Sequence, residues 1–367
     1  MSFEKIRKKL GLGCMRLKMD GEDICYDELE KMVDCLIESG YNYFDTAHGY
    51  IGGKSEICVG DCISARHNRE DFVLTDKLSA WCYNAEEDID TLFEKQLAQC
   101  KVDYFDFYLL HSVNTETYPK YKETNAMEHL LKFKQEGKIK HIGISFHETA
   151  PFLDMVLSEI PEIEVVQLQI NYLDQDDPSV QSQKCYETAV KHGKKIIVME
   201  PVKGGSLVNL PPKAADVLKS QGTENFASFA LRYVQSFPEV IMILSGMGDL
   251  EMVKQNIKTF EDFVPFSEKD YETAALLRKL IRDSKQIPCT ACSYCKDVCP
   301  QGIPVPEIFG AYNEYLAARM SFEDTRKAFP NTMEKADCCI NCGKCESVCP
   351  QKILIREKFQ EILKRCK

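Results

Sequence analysis

From Leu10 to about Phe260 the chain alternates short apolar runs with longer stretches whose apolar residues recur at helical spacing. The short runs are Leu10–Leu12, Tyr41–Phe44, Phe72–Thr75, Tyr104–Leu110, Lys138–Ile144, Val165–Ile170, Ile196–Met199 and Val240–Leu244. The longer ones include Asp27–Ser39, Glu86–Gln99, Ala126–Gln135 and Ser179–Lys191. Strand and helix in alternation imply parallel pairing. Eight such units in roughly 250 residues predict an α/β fold, a (β/α)8 TIM barrel. An open doubly wound sheet is the rival, weakened because no G-x-G-x-x-G follows the first strand.

Beyond the barrel pattern the periodicity changes. Between Gln301 and Cys338, Ile308, Phe309, Tyr312, Tyr315 and Leu316 recur as on one helix. A chain of 367 residues exceeds the roughly 250–300 that one core supports. Two domains are expected, a barrel over 1–265 and a small, mainly α-helical domain over 266–367. The net charge of −11, with no basic run, argues against a nucleic-acid partner. No stretch reaches the ~18 apolar residues of a membrane span. Met1–Lys9 is charged and lacks an apolar signal core, so a cytoplasmic protein is expected.

Nine of the eighteen cysteines crowd between Cys289 and Cys349. A reducing compartment rules out a disulfide framework. The cysteines form two runs, Cys289-x2-Cys292-x2-Cys295-x3-Cys299-Pro300 and Cys339-x2-Cys342-x2-Cys345-x3-Cys349-Pro350. This is the bacterial ferredoxin spacing, in which three thiolates grip one cluster and the fourth reaches the other. Carried over, one [4Fe–4S] cluster takes Cys289, Cys292, Cys295 and Cys349, and the second takes Cys339, Cys342, Cys345 and Cys299. A zinc site is the alternative, but it leaves half of these cysteines and both prolines unexplained. Cys338 reads as a bystander. With its long spacer, the arrangement is similar to the helical ferredoxin domains attached to larger redox enzymes. Two clusters held by interleaved cysteines are expected to lie close enough to exchange an electron.

Chemistry in such a barrel sits at the C-terminal ends of the strands. There the sequence places Asp45-Thr46-Ala47-His48-Gly49-Tyr50, then Thr75-Asp76-Lys77, then Leu109-Leu110-His111. Any one of these residues alone reads as structural. Together with Gly11-Leu12-Gly13 and the Asp45-x4-Tyr50 spacing, the set resembles the aldo-keto reductase tetrad, over Leu10 to about Asn256. The resemblance implies an oxidoreductase that reduces a small carbonyl, or oxidises an alcohol, with NAD(P)H. Tyr50 would give the proton, Lys77 would lower its pKa, Asp45 would hold Lys77, and His111 would orient the carbonyl.

The resemblance also implies cofactor contacts. Ser145 and Gln169 match the amide-binding positions, although Phe146 stands where the family commonly has asparagine. Ser245, Gly246 and Gly248 precede a helix whose exposed N–H groups suit phosphate, with Asn256 further on. Lys203, Gly204 and Gly205 complete the expected phosphate site. The side chains that pair with a 2′-phosphate in many family members are missing, since Gly246, Met247 and Met252 stand there. Clusters move single electrons and nicotinamide moves two, so a second reading has the barrel hold a flavin. In that reading the clusters trade electrons with a ferredoxin or other redox partner. A third makes the chain a non-catalytic electron-transfer subunit, against which the intact tetrad argues. Trp81 and Tyr83 read equally as pocket wall or loop packing, and His48 and His147 as polar bystanders.

Overall fold

The computed structural model describes residues 3–366. Residues 1, 2 and 367, at the outer ends of the two expected domains and of the N-terminal stretch read for an export signal, lie outside the described residues. The chain divides into two compact units. One runs up to Pro201 and adds Leu231–Pro265, and the other joins Val202–Ala230 to the residues from Phe266 onward. The apolar pattern assigns Val202–Ala230 to the barrel, whereas its hydrogen bonds lead to the C-terminal residues. Gln221 Nε2 donates to Thr273 Oγ1 at 3.1 Å, and Arg319 Nη1 donates to the Asn209 carbonyl at 2.9 Å.

In the first unit eight parallel strands close into a barrel: β1 Leu10–Gly13, β2 Tyr43–Asp45, β3 Val73–Ser79, β4 Phe105–Val113, β5 Ile139–Phe146, β6 Val165–Gln169, β7 Lys195–Met199 and β8 Val240–Ser245. Each strand pairs with its neighbour in sequence, and β8 returns to β1 with Leu10 opposite Ile243. Both faces of these strands are covered, which is why each reads as a nearly continuous apolar run. Tyr43, Val73, Phe107, Leu109, Val165, Ile197, Met242 and Leu244 form one buried cluster. Full burial of one such side chain contributes roughly 1.5–3 kcal/mol. Packing there leaves no room at Gly143, where a Cβ would stand 2.5 Å from Val165 Cγ2 and 2.6 Å from Leu109 Cδ2. Gly143→Leu would therefore break this layer.

Two strands run three or more residues further than the apolar pattern predicts. β3 continues through Asp76 and Lys77 to Ser79, and β4 continues through His111 to Val113. The polar residues look like strand ends in sequence, yet Lys77 pairs opposite Leu109 and Ser79 opposite His111. Each finds a buried partner, so burial carries no unpaired cost. Outside the strands, helices follow in the expected places. Asp88–Cys100, for example, buries Ile89, Leu92, Phe93, Gln96, Leu97 and Cys100 along one stripe.

The second unit is mainly helical, as the sequence predicts. Helix Glu268–Asp283 starts with a capping box between Ser267 and Asp270. Helices Val305–Leu316, Phe322–Ala328 and Ile355–Cys366 follow. Ile308, Phe309, Tyr312, Met333, Phe359 and Ile362 build the core with Cys295, and Cys289, Cys299, Cys339, Cys345 and Cys349 pack against it. Among the described residues, no helix is long and apolar enough to cross a membrane.

Candidate functional site

At the barrel's C-terminal rim, β2, β3 and β4 bring the four sequence-predicted residues together. Lys77 Nζ donates to Asp45 Oδ1 at 2.6 Å, to the Thr46 carbonyl at 2.7 Å and to Tyr50 Oη at 3.2 Å. Lys77 is fully buried, and Asp45, Tyr50 and His111 nearly so. The Tyr50 and His111 rings meet edge to face, with centroids 5.7 Å apart. Trp81, half exposed, tilts over the His111 ring at 4.9 Å, while Tyr83 is buried with its hydroxyl on Thr124 Oγ1. His48 Nδ1 meets Glu56 Oε2 at 2.8 Å, away from this set of contacts.

Electrostatics at the rim follow from burial. Desolvation raises the Tyr50 phenol well above its usual value, the Asp45 carboxylate adds to this, and the Arg16 guanidinium opposes it. The lowering expected from Lys77 does not prevail, and Tyr50 stands as a neutral phenol. Burial, joined by the charges of Lys77 and His147, holds His111 well below the usual imidazole range, so its ring is neutral.

Three contributors escape the sequence reading. Gln167 Nε2 donates to the other Asp45 oxygen at 3.0 Å, so both carboxylate oxygens are engaged. Ser79 Oγ lies 2.6 Å from His111 Nδ1. Arg16, on the loop after β1, pairs with Glu200 Oε1 at 2.7 Å. Ser79 is legible in retrospect, because it sits two residues beyond Lys77 and so on the same strand face. Gln167 and Arg16 lie too far along the chain from the tetrad for local spacing to reveal them.

Ser145 is buried near the end of β5 and Gln169 at the end of β6. Phe146 is buried as well, stacked on Phe152. Asn256 Nδ2 donates to Ser245 Oγ at 3.0 Å. Gly246 lies beside Arg16, whose Cβ a side chain there would meet at 3.7 Å. The helix after Gly248, Leu250–Glu261, begins differently from a phosphate cradle. Asp249 Oδ1 accepts the Met252 N–H and Glu28 Oε1 accepts the Leu250 N–H, each at 2.8 Å. Lys203, Gly204 and Gly205 belong to the second unit, where the Lys203 ammonium donates to Gln351 Oε1 at 2.9 Å.

In the second unit the cysteines ring two cavities. One is lined by Cys289, Cys292, Cys295 and Cys349, and the other by Cys299, Cys339, Cys342 and Cys345. The loops curl alike. Ala291 and Ser293 flank Cys292 with positive φ, as Asn341 and Gly343 flank Cys342. That curl turns three thiols two residues apart toward one cavity. Cys338 is exposed and lines neither cavity.

Each part of the chain matches a known family. The aldo/keto reductase family model matches residues 9–278, and a 4Fe-4S dicluster domain model matches residues 288–354. The Bacillus subtilis oxidoreductase YqkF is 25% identical over 281 residues, covering 68% of this chain and 86% of that protein. The NAD(P)H-dependent D-xylose reductase of Candida tenuis is 25% identical over 315 residues, covering 76% of this chain and 91% of that one. Among solved structures, the holo form of an aldo-keto reductase from Bacillus halodurans aligns with a TM-score of 0.58 at 24% identity, covering 73% of this chain and 91% of that one. A Klebsiella pneumoniae aldo-keto reductase in complex with NADPH aligns with a TM-score of 0.59 at 22% identity, covering 77% and 96%. With the barrel, its buried rim and the paired cysteine motifs in place, the chain belongs to the aldo/keto reductase family, as an oxidoreductase with an iron–sulfur domain after the barrel.

Proposed function

We propose that the barrel reduces a small carbonyl compound with a nicotinamide dinucleotide, Tyr50 donating the proton, and that two [4Fe–4S] clusters occupy the cysteine-lined cavities. The observation that carries the first half is the triple contact of Lys77 with Asp45, Thr46 and Tyr50 inside a dry rim. When bound, the dinucleotide supplies hydride to the carbonyl carbon. Tyr50, protonated at rest, gives its phenolic hydrogen to the oxygen as negative charge develops there. The phenolate left behind faces the Lys77 ammonium, an interaction that strengthens as the proton leaves. Asp45, held by Gln167, keeps Lys77 aimed. A Ser79 hydroxyl donating to His111 Nδ1 leaves the neutral ring's hydrogen on Nε2, where it orients the carbonyl. General acid catalysis of this kind contributes about 10²–10⁴-fold.

Ser145 and Gln169 are the residues that would hold the nicotinamide amide, with Asn256 and Ser245 near the nucleotide's other end. Carboxylates already take two N–H groups at the start of helix Leu250–Glu261, which favours a dinucleotide without a 2′-phosphate. The Klebsiella relative carries NADPH, so this chain would differ from it.

For the clusters, eight cysteines fall four to each cavity, in the sets the ferredoxin spacing implies. Bound clusters would supply one-electron chemistry, exchanged with a ferredoxin-type partner. Buried Phe146, in place of the asparagine the resemblance expects, keeps a flavin-holding barrel as the second reading. Purification without oxygen, followed by iron, sulfide and extracted-cofactor analysis and then NADH oxidation with a panel of aldehydes and ketones, tests the reading. Released flavin with no carbonyl-dependent NADH oxidation would overturn it.

A further inference from the structure

The two cysteine motifs form an internal repeat in which position 289 corresponds to 339, 301 to 351 and 306 to 356. The backbone repeats as well, since Gly302 and Lys352, at equivalent positions, both have positive φ. Against that symmetry two differences stand out. Gln301, beside the second cavity, is exposed, whereas Gln351, beside the first, is buried. The cover over Gln351 comes from outside the repeat. Lys203, only 3% exposed, donates its ammonium to Gln351 Oε1 at 2.9 Å. The next residue, Gly204 at φ 58°, presses its backbone on the other ligand segment. A Cβ there would stand 2.4 Å from the carbonyl oxygen of Thr290, which follows Cys289.

The second difference is a cation. Arg356 lines the second cavity, and Glu346 holds its guanidinium at 2.6 Å. The equivalent residue at the first cavity is Pro306, which carries no charge.

We infer that Lys203 is the first cluster's counterpart of Arg356: a positioning and tuning residue that clamps the Cys349 corner and raises that cluster's midpoint potential. The inference rests on the reading that clusters fill these cavities. Reduction adds one electron and so one negative charge to a cluster. An ammonium nearby stabilises the reduced form, and one fixed beside a ligand segment also orders the ligands. The chain thereby commits its Lys203-Gly204 segment to the first cluster's wall.

The test is an EPR-monitored redox titration, with iron analysis, of the full chain loaded with clusters. Lys203→Met, Lys203→Arg and Arg356→Met are compared with wild type. Lys203→Met is expected to move one cluster to a more negative midpoint, or to empty that site and lose roughly half of the iron. Lys203→Arg is expected to hold near wild type, and Arg356→Met to shift the other cluster. Lys203→Met that leaves both midpoints and the iron unchanged overturns the inference. So does an equal shift in both clusters, or a shift in the cluster that Arg356→Met moves. A wild-type chain that takes up no cluster iron would instead fault the cluster reading itself.

Discussion

Lys77 Nζ and Asp45 Oδ1 meet at 2.6 Å inside the barrel rim, with side-chain exposures of 0% and 4%. An ion pair so far out of water depends on having both partners. Lys77→Met leaves the Asp45 carboxylate buried without its cation, and breaking such a pair costs about 3–5 kcal/mol. Chemical denaturation should show a loss of that size. Carbonyl reduction should fall together with it, because the cation that faces the Tyr50 phenolate is gone. A variant as stable as wild type would show that the pair contributes nothing beyond its desolvation cost.

Tyr50→Phe removes only a hydroxyl. Stability should change little, while the rate of carbonyl reduction should drop on the order of 10²–10⁴-fold. The pH dependence adds a check on His111, which burial, Lys77 and His147 keep neutral well below its usual range. Activity measured as pH falls through about 6.5 should show no inflection from His111. An acid limb near that pH that disappears in His111→Asn would contradict the neutral-ring assignment.

Glu28 and Asp249 should set cofactor preference. Both carboxylates accept N–H groups at the start of helix Leu250–Glu261, so a 2′-phosphate would meet two donors already taken and two negative charges. Wild type should bind NADH more tightly than NADPH by fluorescence titration. Glu28→Gln with Asp249→Ser should narrow the ratio, chiefly by improving NADPH. Equal affinities in wild type would remove the proposed role.

Glu164, immediately before β6, offers a test of acid stability. Burial alone would raise its carboxyl, but hydrogen bonds from His141, Lys134 and the Ile142 N–H bring it down to about 2. The folded value lies below the 4.5 of the free side chain. Its stabilisation is therefore complete above about pH 4.5 and is lost as pH falls toward 2. In urea melts the gap between wild type and Glu164→Gln should be widest above that pH and should shrink steadily below it. A gap independent of pH would argue against the shifted carboxyl.

The eight strands were legible because each is apolar on both faces and bounded by helical periodicity. Strand ends were harder to place. Polar Lys77 and His111 look terminal in a sequence, and only their partners Asp45 and Ser79 show that they lie within strands. The tetrad and the cysteine sets stood out because their chemistry needs fixed local spacing. Gln167 did not, since it reaches Asp45 across 122 positions of sequence. Lys203-Gly204-Gly205 illustrates the opposite case. A glycine-rich turn after a barrel strand reads as a phosphate cradle, yet the contacts of Gly204 with Thr290 and of Lys203 with Gln351 tie it to the cysteine loops. Which loop a turn packs against is a long-range fact that composition does not encode.

Isotope labelling follows the hydride that the barrel rim at Tyr50 delivers. The anaerobically purified chain is given an aldehyde it reduces and NADH deuterated at the transferable position, and the alcohol is examined by mass spectrometry and NMR. The expected result is deuterium on the carbinol carbon in wild type and almost no product from Tyr50→Phe. Alcohol formed with solvent hydrogen at that carbon would contradict direct transfer and point to electrons routed through a flavin or the clusters.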